Sequence, residues 1–251
     1  MSAWHEDDEF WRAFTPTMFS KERWEAAEEE INNVVGLVQP PEGAAVLDLC
    51  CGPGRHALEL ARRGYRVTAG DRTSQYLDEA QQAAASEGSD IEFVEEDMRR
   101  FRRSEAFDLA ISLYTSFGYF EDANEDQRVA ENLFASLRPG AKLVMEMMGK
   151  EVLARVFQPR GWDEYEGVIR LQERTIAPGW GWIDNRWILL DGKERKEFRL
   201  GHRLYSAVEL GALLENCGFA EVQPYGGLDG RPYDHEARRL VVVASKPAGP
   251  N

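Results

Sequence analysis

The sequence predicts an α/β protein: a seven-stranded, mostly parallel sheet that ends in an antiparallel hairpin and carries a small antiparallel β insertion. Three features predict it. Short apolar runs alternate with stretches of helical periodicity from about residue 44 to 148, the signature of a parallel sheet with helices on both faces. From about 167 to 205, three β-like runs follow one another with no helix between them. The last two apolar runs, 221–225 and 239–244, also lack an intervening helix, so a parallel crossover cannot join them. The expected division is a helical segment at 1–42, an α/β body at 43–149 and 206–247, and an inserted β cap at 150–205.

Each element has a local cause. The first 20 residues are acidic and aromatic, with Trp4, Phe10, Trp11, Phe14 and Phe19. Ser20 is placed to cap a helix from Lys21 to about Leu37, and Gln39-Pro40-Pro41 stops it, because proline lacks an N–H and biases the residue before it away from helix. Ala44 to Leu49 reads as a buried strand, followed by the turn Cys51-Gly52-Pro53-Gly54 and a helix from Arg55 to Arg63 that Gly64 ends. Arg66 to Gly70 is the second strand, with Asp71 at its end; Thr73 caps a helix to Ala85, which Gly88 closes. Ile91–Val94 and Phe107–Leu113 are the third and fourth strands, Asn124–Leu137 a helix stopped by Pro139-Gly140, and Ala141–Met148 the fifth strand. The insertion holds β runs near 167–176, 181–190 and 195–204, with Asp191-Gly192 signalling a type I′ hairpin. Ser206 and Glu209 form a capping box for a helix that Gly218 ends.

Composition excludes several classes. The formal charge is −14, which repels phosphate backbones and argues against nucleic-acid partners. Arg99, Arg100, Arg102 and Arg103 are flanked by Glu95, Glu96, Asp97 and Glu105 and read as a solvated face. No apolar run approaches the ~18–20 residues of a membrane helix, so no membrane association is expected. The N-terminal stretch lacks a basic region, so no leader is expected. Cys50, Cys51 and Cys217 show no CxxC spacing; neither a disulfide framework nor a zinc site is expected, and a reducing cytoplasm suits the chain.

The decisive segment is Val46-Leu47-Asp48-Leu49-Cys50-Cys51-Gly52-Pro53-Gly54-Arg55-His56-Ala57. Gly52-x-Gly54-x-x-Ala57 after a strand permits a tight turn and close backbone approach to a nucleoside ligand. Asp71, at the end of the next strand, is placed to hydrogen-bond ribose hydroxyls. The residues themselves establish a ribose-containing ligand. The full segment, with an acid inside the strand four residues before the first glycine, resembles motif I of the class I S-adenosylmethionine-dependent methyltransferases, whose fold is Rossmann-like. S-adenosylmethionine has an ammonium and a sulfonium where a nicotinamide cofactor has a pyrophosphate, so an acid at Asp48 suits the first and not the second. Asp71, the run Glu95-Glu96-Asp97-Met98, Phe107-Asp108-Leu109-Ala110 and the turn Leu137-Arg138-Pro139-Gly140-Ala141 resemble the family's later motifs in order.

The resemblance implies S-adenosylmethionine as cofactor, held by Asp48, Cys50, Gly52, Gly54, Asp71, Arg72, Asp97, Met98 and Leu113. It implies methyl transfer to a small-molecule acceptor through an N or O nucleophile, with no metal, because the sulfonium is already activated. The segment Leu113 to Phe120 leaves the sheet at its carboxyl edge, where ligands of open α/β sheets bind. Tyr119 and His202 are the expected catalytic pair. Tyr114, Phe117, Trp182, Tyr205, Tyr233 and His235 are the expected acceptor contacts, with the insertion as a lid over the site. Cys51 and His56 read as packing residues near the turn. The competing readings are a nicotinamide-dependent oxidoreductase on a related fold and a non-catalytic S-adenosylmethionine-binding protein.

Overall fold

The computed structural model describes residues 3–249. Seven strands form the main sheet: β1 (Ala45–Leu49), β2 (Arg66–Asp71), β3 (Ile91–Glu95), β4 (Phe107–Ser112), β5 (Leu137–Met147), and the late strands β10 (Ala220–Tyr225) and β11 (Leu240–Ser245). Their order is β10-β11-β5-β4-β1-β2-β3. The β1–β5 pairs are parallel, while β11 runs antiparallel to both β5 and β10. The chain order therefore reverses beside β1, which creates the crevice where ligands of such sheets bind. The helices are α1 (Asp8–Met18), α2 (Lys21–Val38), α3 (Arg55–Arg62), α4 (Ser74–Glu87), α5 (Ala123–Ser136), α6 (Lys150–Val156) and α7 (Ala207–Asn216).

Strand alternation decides which side chains meet which helices. Leu47 and Leu49 of β1 join a core with Leu133 of α5 and with Leu210 and Leu214 of α7. Val46 faces the opposite way, into a core with Ile31 and Val34 of α2, Ala57 and Leu60 of α3, and Leu77 of α4. Asp48 shares the Val46 side, so the alternation that buries β1 also buries one carboxylate beneath the turn into α3.

The second sheet is antiparallel, in the order β6-β7-β8-β9: β6 (Arg160–Tyr165), β7 (Val168–Ile176), β8 (Trp182–Asp191) and β9 (Glu194–Arg203). The expected meander is present with an extra helix, α6, and an extra strand, β6. Strand β6 alternates exposed and half-buried residues without an apolar run, which is why its pattern does not read as a strand. The β8–β9 loop is Gly192-Lys193, closed by the pair Asp191–Glu194. Only Gly192 of those two has positive φ (56°); that is the pattern of a II′ turn rather than the expected I′ turn. Pro139-Gly140 ends α5 as expected but falls inside β5, where the Gly140 N–H donates to Lys246 O at 2.9 Å.

The N-terminal segment is the larger surprise. Asp7 caps α1 by accepting from Glu9 and Phe10 N–H groups. Phe10 and Phe14 of α1 are buried against Leu189 and Leu200 of the small sheet, with Trp187 and Phe198 packed around them. Residues at the start of the chain thus hold the cap.

Candidate active site

A cavity of about 420 Å³ lies at the carboxyl ends of the main-sheet strands, under α1 and the small sheet. That is within the ~300–1,000 Å³ of small-molecule sites. Its floor is the β1–α3 turn. Cys50 takes φ +64°, and the N–H groups of Cys50 and Cys51 both donate to Gly70 O, at 2.7 and 3.1 Å. Gly52 sits at φ +56°, and a Cβ there would lie 2.9 Å from Phe19 Cζ. The Gly52 N–H donates to Asp71 Oδ2 at 2.9 Å, and the Thr73 N–H to Asp71 Oδ1 at 2.8 Å. Burial raises the Asp71 pKa, and those two backbone donors oppose the rise.

Asp48 is 2% exposed, and its Oδ2 has no hydrogen-bond partner among the described residues. Burial pushes its pKa up to about 7, with the Asp71 charge adding and the Arg55 charge opposing. An unpartnered buried carboxylate oxygen is costly, and on this cavity wall it marks a place for a cationic donor. Met98 lies 4.0 Å from the Cys50 sulfur. Asp97 pairs with Arg99 at 2.6 Å; burial acts to raise its pKa, and the hydrogen bonds from Arg99 outweigh that and lower it. Arg72 and Leu113 also border the cavity, but the Arg72 guanidinium donates to His5 O at 2.8 Å and so latches the N-terminal segment down. Gly54 is not on the wall: a Cβ there would meet Ala80 Cβ at 2.8 Å, so that glycine serves the α3–α4 approach.

Tyr114, Tyr119 and His202 reach the cavity. Tyr119 packs against Trp4, with ring centroids 4.8 Å apart, and burial raises its pKa. Burial alone lowers the His202 pKa to about 4, so its imidazole is neutral at physiological pH. The other five expected acceptor contacts lie elsewhere. Phe117 and Tyr205 pack on each other in the main core, and the Tyr205 hydroxyl donates to Asp126 at 2.7 Å. Trp182 lies over Gly201 and donates to Asp184, lining a separate open groove. Tyr233 donates to Glu151 at 2.8 Å, and His235 is exposed. Each sits on the expected element, but its side chain faces away from the cavity.

Sequence reasoning missed one end of the site. Glu30 accepts from Arg55 at 2.8 Å and contacts His56 Nε2 at 2.7 Å, and the Tyr114 hydroxyl donates to it. Burial acts to raise the Glu30 pKa, but the His56 and Tyr114 hydrogen bonds and the Arg55 charge outweigh it and hold it at about 2. Arg239 pairs with Glu146, whose other oxygen accepts the Tyr114 N–H at 2.6 Å. A signal existed: Glu30 falls in the apolar stripe Ala27-Ile31-Val34 of α2, where an acid needs a buried partner. Trp187, rather than Trp182, is the cap tryptophan on the wall.

The methyltransferase domain family matches residues 46–140, from β1 into β5. The chain is 26% identical over 212 residues to YqeM of Bacillus subtilis (strain 168), named as a methyltransferase only provisionally, covering 82% of this chain and 85% of that one. It is 29% identical over 215 residues to the cypemycin N-terminal methyltransferase of a Streptomyces species, covering 83% and 85%. Residues 46–140 thus form a methyltransferase domain. The fold of the chain matches the crystal structure of an S-adenosylmethionine-dependent methyltransferase from Clostridium acetobutylicum ATCC 824, with a TM-score of 0.79, 15% identity, and 96% and 99% of the two chains covered. Among the described residues, no helix is long and apolar enough to cross a membrane.

Proposed function

We propose that this enzyme binds S-adenosylmethionine across Asp48, Gly52, Asp71, Asp97 and Met98 and transfers its methyl group to a small molecule through an N or O nucleophile. The observation that carries the reading is Asp48 Oδ2, a buried carboxylate oxygen without a partner on the cavity floor. The cofactor brings an ammonium that such an oxygen would satisfy, and an activated methyl on sulfur. Asp71, already oriented by two backbone donors, keeps acceptor capacity for ribose hydroxyls. Asp97 and Met98 offer an acceptor and an apolar face for adenine.

The rest of the chemistry is positioning and water exclusion, because an activated donor needs little else. The aromatic roof of Trp4, Trp11 and Tyr119 closes one side, and Trp187 with Ile183 and Leu200 closes the cap side. His202, neutral at working pH, is suited to accept a hydrogen bond from the nucleophile and orient its lone pair; Tyr119 offers a hydroxyl to the same space. A neutral amine needs no stronger base, and a roofed cavity favours a small acceptor over a polymer. The cypemycin relative, named for an N-terminal methyl acceptor, supports a nitrogen nucleophile.

The test is two-part. Calorimetric titration with S-adenosylhomocysteine should show binding that Asp48→Asn weakens at least ten-fold. Incubation with S-adenosylmethionine and a metabolite library should yield S-adenosylhomocysteine with amine or hydroxyl acceptors. Unchanged affinity in Asp48→Asn sinks the cofactor placement; no turnover across the library sinks the small-acceptor reading.

A further inference from the structure

We propose that the cap end of the cavity holds an anionic group of the methyl acceptor, a carboxylate or a phosphate, between Arg174 and Arg23 with Arg170 beside them. This rests on reading the cavity as a methyl-transfer site. Its charges are sorted by position. The acids on the wall, Asp48, Asp71, Glu96 and Asp97, all sit at or just beyond the ends of β1, β2 and β3. Toward the cap and the β5 end the ionised wall residues are arginines, and no lysine borders the cavity. Guanidinium groups present the fork that matches carboxylate and phosphate oxygens. In a chain with formal charge −14, a purely arginine-lined cavity end is not what average composition supplies.

Pairing then separates the arginines. Arg55 is matched by Glu30, Arg239 by Glu146 and Arg170 by Asp163. Arg23 and Arg174 make no ion pair among the described residues. The Arg174 guanidinium donates to Gln158 O, at 3.2 Å, and to no other group among the described residues, and Arg23 lies over the Tyr114 ring at 5.0 Å. Arg170 and Arg174 share one face of β7 by strand alternation, with buried Gln172 between them and buried Asn185 opposite Arg174 on β8. Arg174, Asn185 and Gln172 thus form a polar strip on a face they share with apolar Trp187 and Leu189, which suits an occupant with one polar end. Burial and like charge act together: burial, then Arg170, depress the Arg174 pKa, and burial, with Arg55, Arg239 and Arg170, depresses that of Arg23. An anion would relieve both costs.

The competing occupant is the carboxylate of the cofactor's own amino acid. Arg23 and Arg55 lie near the β1 turn and could serve it; Arg174, on the cap, separates the two cases. The probes are phenyl phosphate, benzoate and neutral benzyl alcohol, titrated calorimetrically into the full chain at constant ionic strength, with and without saturating S-adenosylhomocysteine. The expected result is that at least one anion binds at least ten-fold more tightly than benzyl alcohol. Arg174→Gln should erase that preference while S-adenosylhomocysteine affinity stays within two-fold. Preference for phenyl phosphate assigns a phosphate, and preference for benzoate a carboxylate. The proposal falls if neither anion outbinds the alcohol, if Arg174→Gln leaves the preference intact, or if it weakens S-adenosylhomocysteine ten-fold instead. Should Arg174→Gln not fold, Arg174→Lys, which keeps the charge and loses the two-pronged fork, should still weaken the preferred anion several-fold while S-adenosylhomocysteine affinity holds. If S-adenosylhomocysteine does not bind the wild-type chain, the methyl-transfer reading fails, and the cofactor-free titrations still judge the anion site.

Discussion

The Asp71 carboxylate accepts the backbone N–H of Gly52 at 2.9 Å, across 19 residues of chain. One side chain at the end of β2 thereby fixes the turn that ends β1. Asp71→Asn keeps the size but loses the charge and one acceptor, because its amide nitrogen would face either the Gly52 or the Thr73 N–H. S-adenosylhomocysteine binding should weaken about ten-fold or more, from the loss of a ~1.5–3 kcal/mol charge-assisted interaction. Calorimetry checks this, and an unchanged Kd removes the ribose assignment.

With the cofactor placed as proposed, Asp48 ties its affinity to pH. Its folded pKa is about 7 against an ordinary 3.8, so the folded state holds the extra proton between those values and stability falls as pH rises from about 4 to 7. Asp48→Asn, which cannot ionise, should therefore melt several degrees higher than wild type at pH 8 and show little gain at pH 4. Ammonium binding needs the ionised form, so wild-type affinity for S-adenosylhomocysteine should fall by up to about ten-fold per pH unit below 7. A pH-independent affinity between 5.5 and 8 would contradict this linkage.

His202 titrates in the opposite sense. Burial lowers its pKa from 6.5 to about 4, so the unfolded state binds the proton first. The stability this histidine supports is complete above about 6.5 and is lost as pH falls toward 4. Its neutral form persists to pH 5, so kcat at saturating cofactor should show no imidazole inflection near 6.5, while kcat/KM for cofactor declines through Asp48. An acid limb in kcat near 6.5 that His202→Asn abolishes rejects the neutral assignment.

Gly52→Ala should impair both lid and turn. Its Cβ would lie 2.9 Å from Phe19 Cζ, at a φ of +56° that alanine resists. We expect a loss of about 1–2 kcal/mol in stability and at least ten-fold weaker cofactor binding, read by denaturant melts and calorimetry. Gly64→Ala, with open space around its Cβ, isolates the φ penalty: it should lower stability without touching cofactor affinity.

Glu30→Gln should strand the cations around it. Arg55 is 4% exposed and loses its carboxylate partner, which points to roughly 2–3 kcal/mol of destabilisation, at the lower end for breaking a buried pair because Glu30 is partly solvated. Double substitution with Arg55→Met should recover part of the loss; equal loss in single and double variants means the pair is not coupled.

The main sheet was legible because each strand carries its own apolar run and each turn its own glycine: Gly64 and Gly88 end helices where expected, and the Ser206–Glu209 capping box forms. That Asp48, Gly52 and Asp71 meet at one cavity was legible for the same reason, since they lie within two adjacent β–turn–α units. The cap end of the cavity was not. Which face of β8, that of Trp182 or that of Trp187, turns toward the cavity depends on where α1 docks, and no local pattern encodes that docking. Tyr205 and Phe117 have cavity-like chemistry but spend it on Asp126 and on each other.

The seating of Phe10 and Phe14 against Leu189 and Leu200 has a consequence for how the chain is made. During synthesis, α1 emerges well before the small sheet, with an aromatic face and nothing to cover it, since β9 ends only at Arg203. Pairings so distant along a chain form late. The α/β body can gather itself strand by strand, whereas the lid closes last. A nascent or truncated chain ending before β9 would therefore expose Phe10, Phe14 and Trp11 together, and be the form most prone to capture by chaperones or to aggregation.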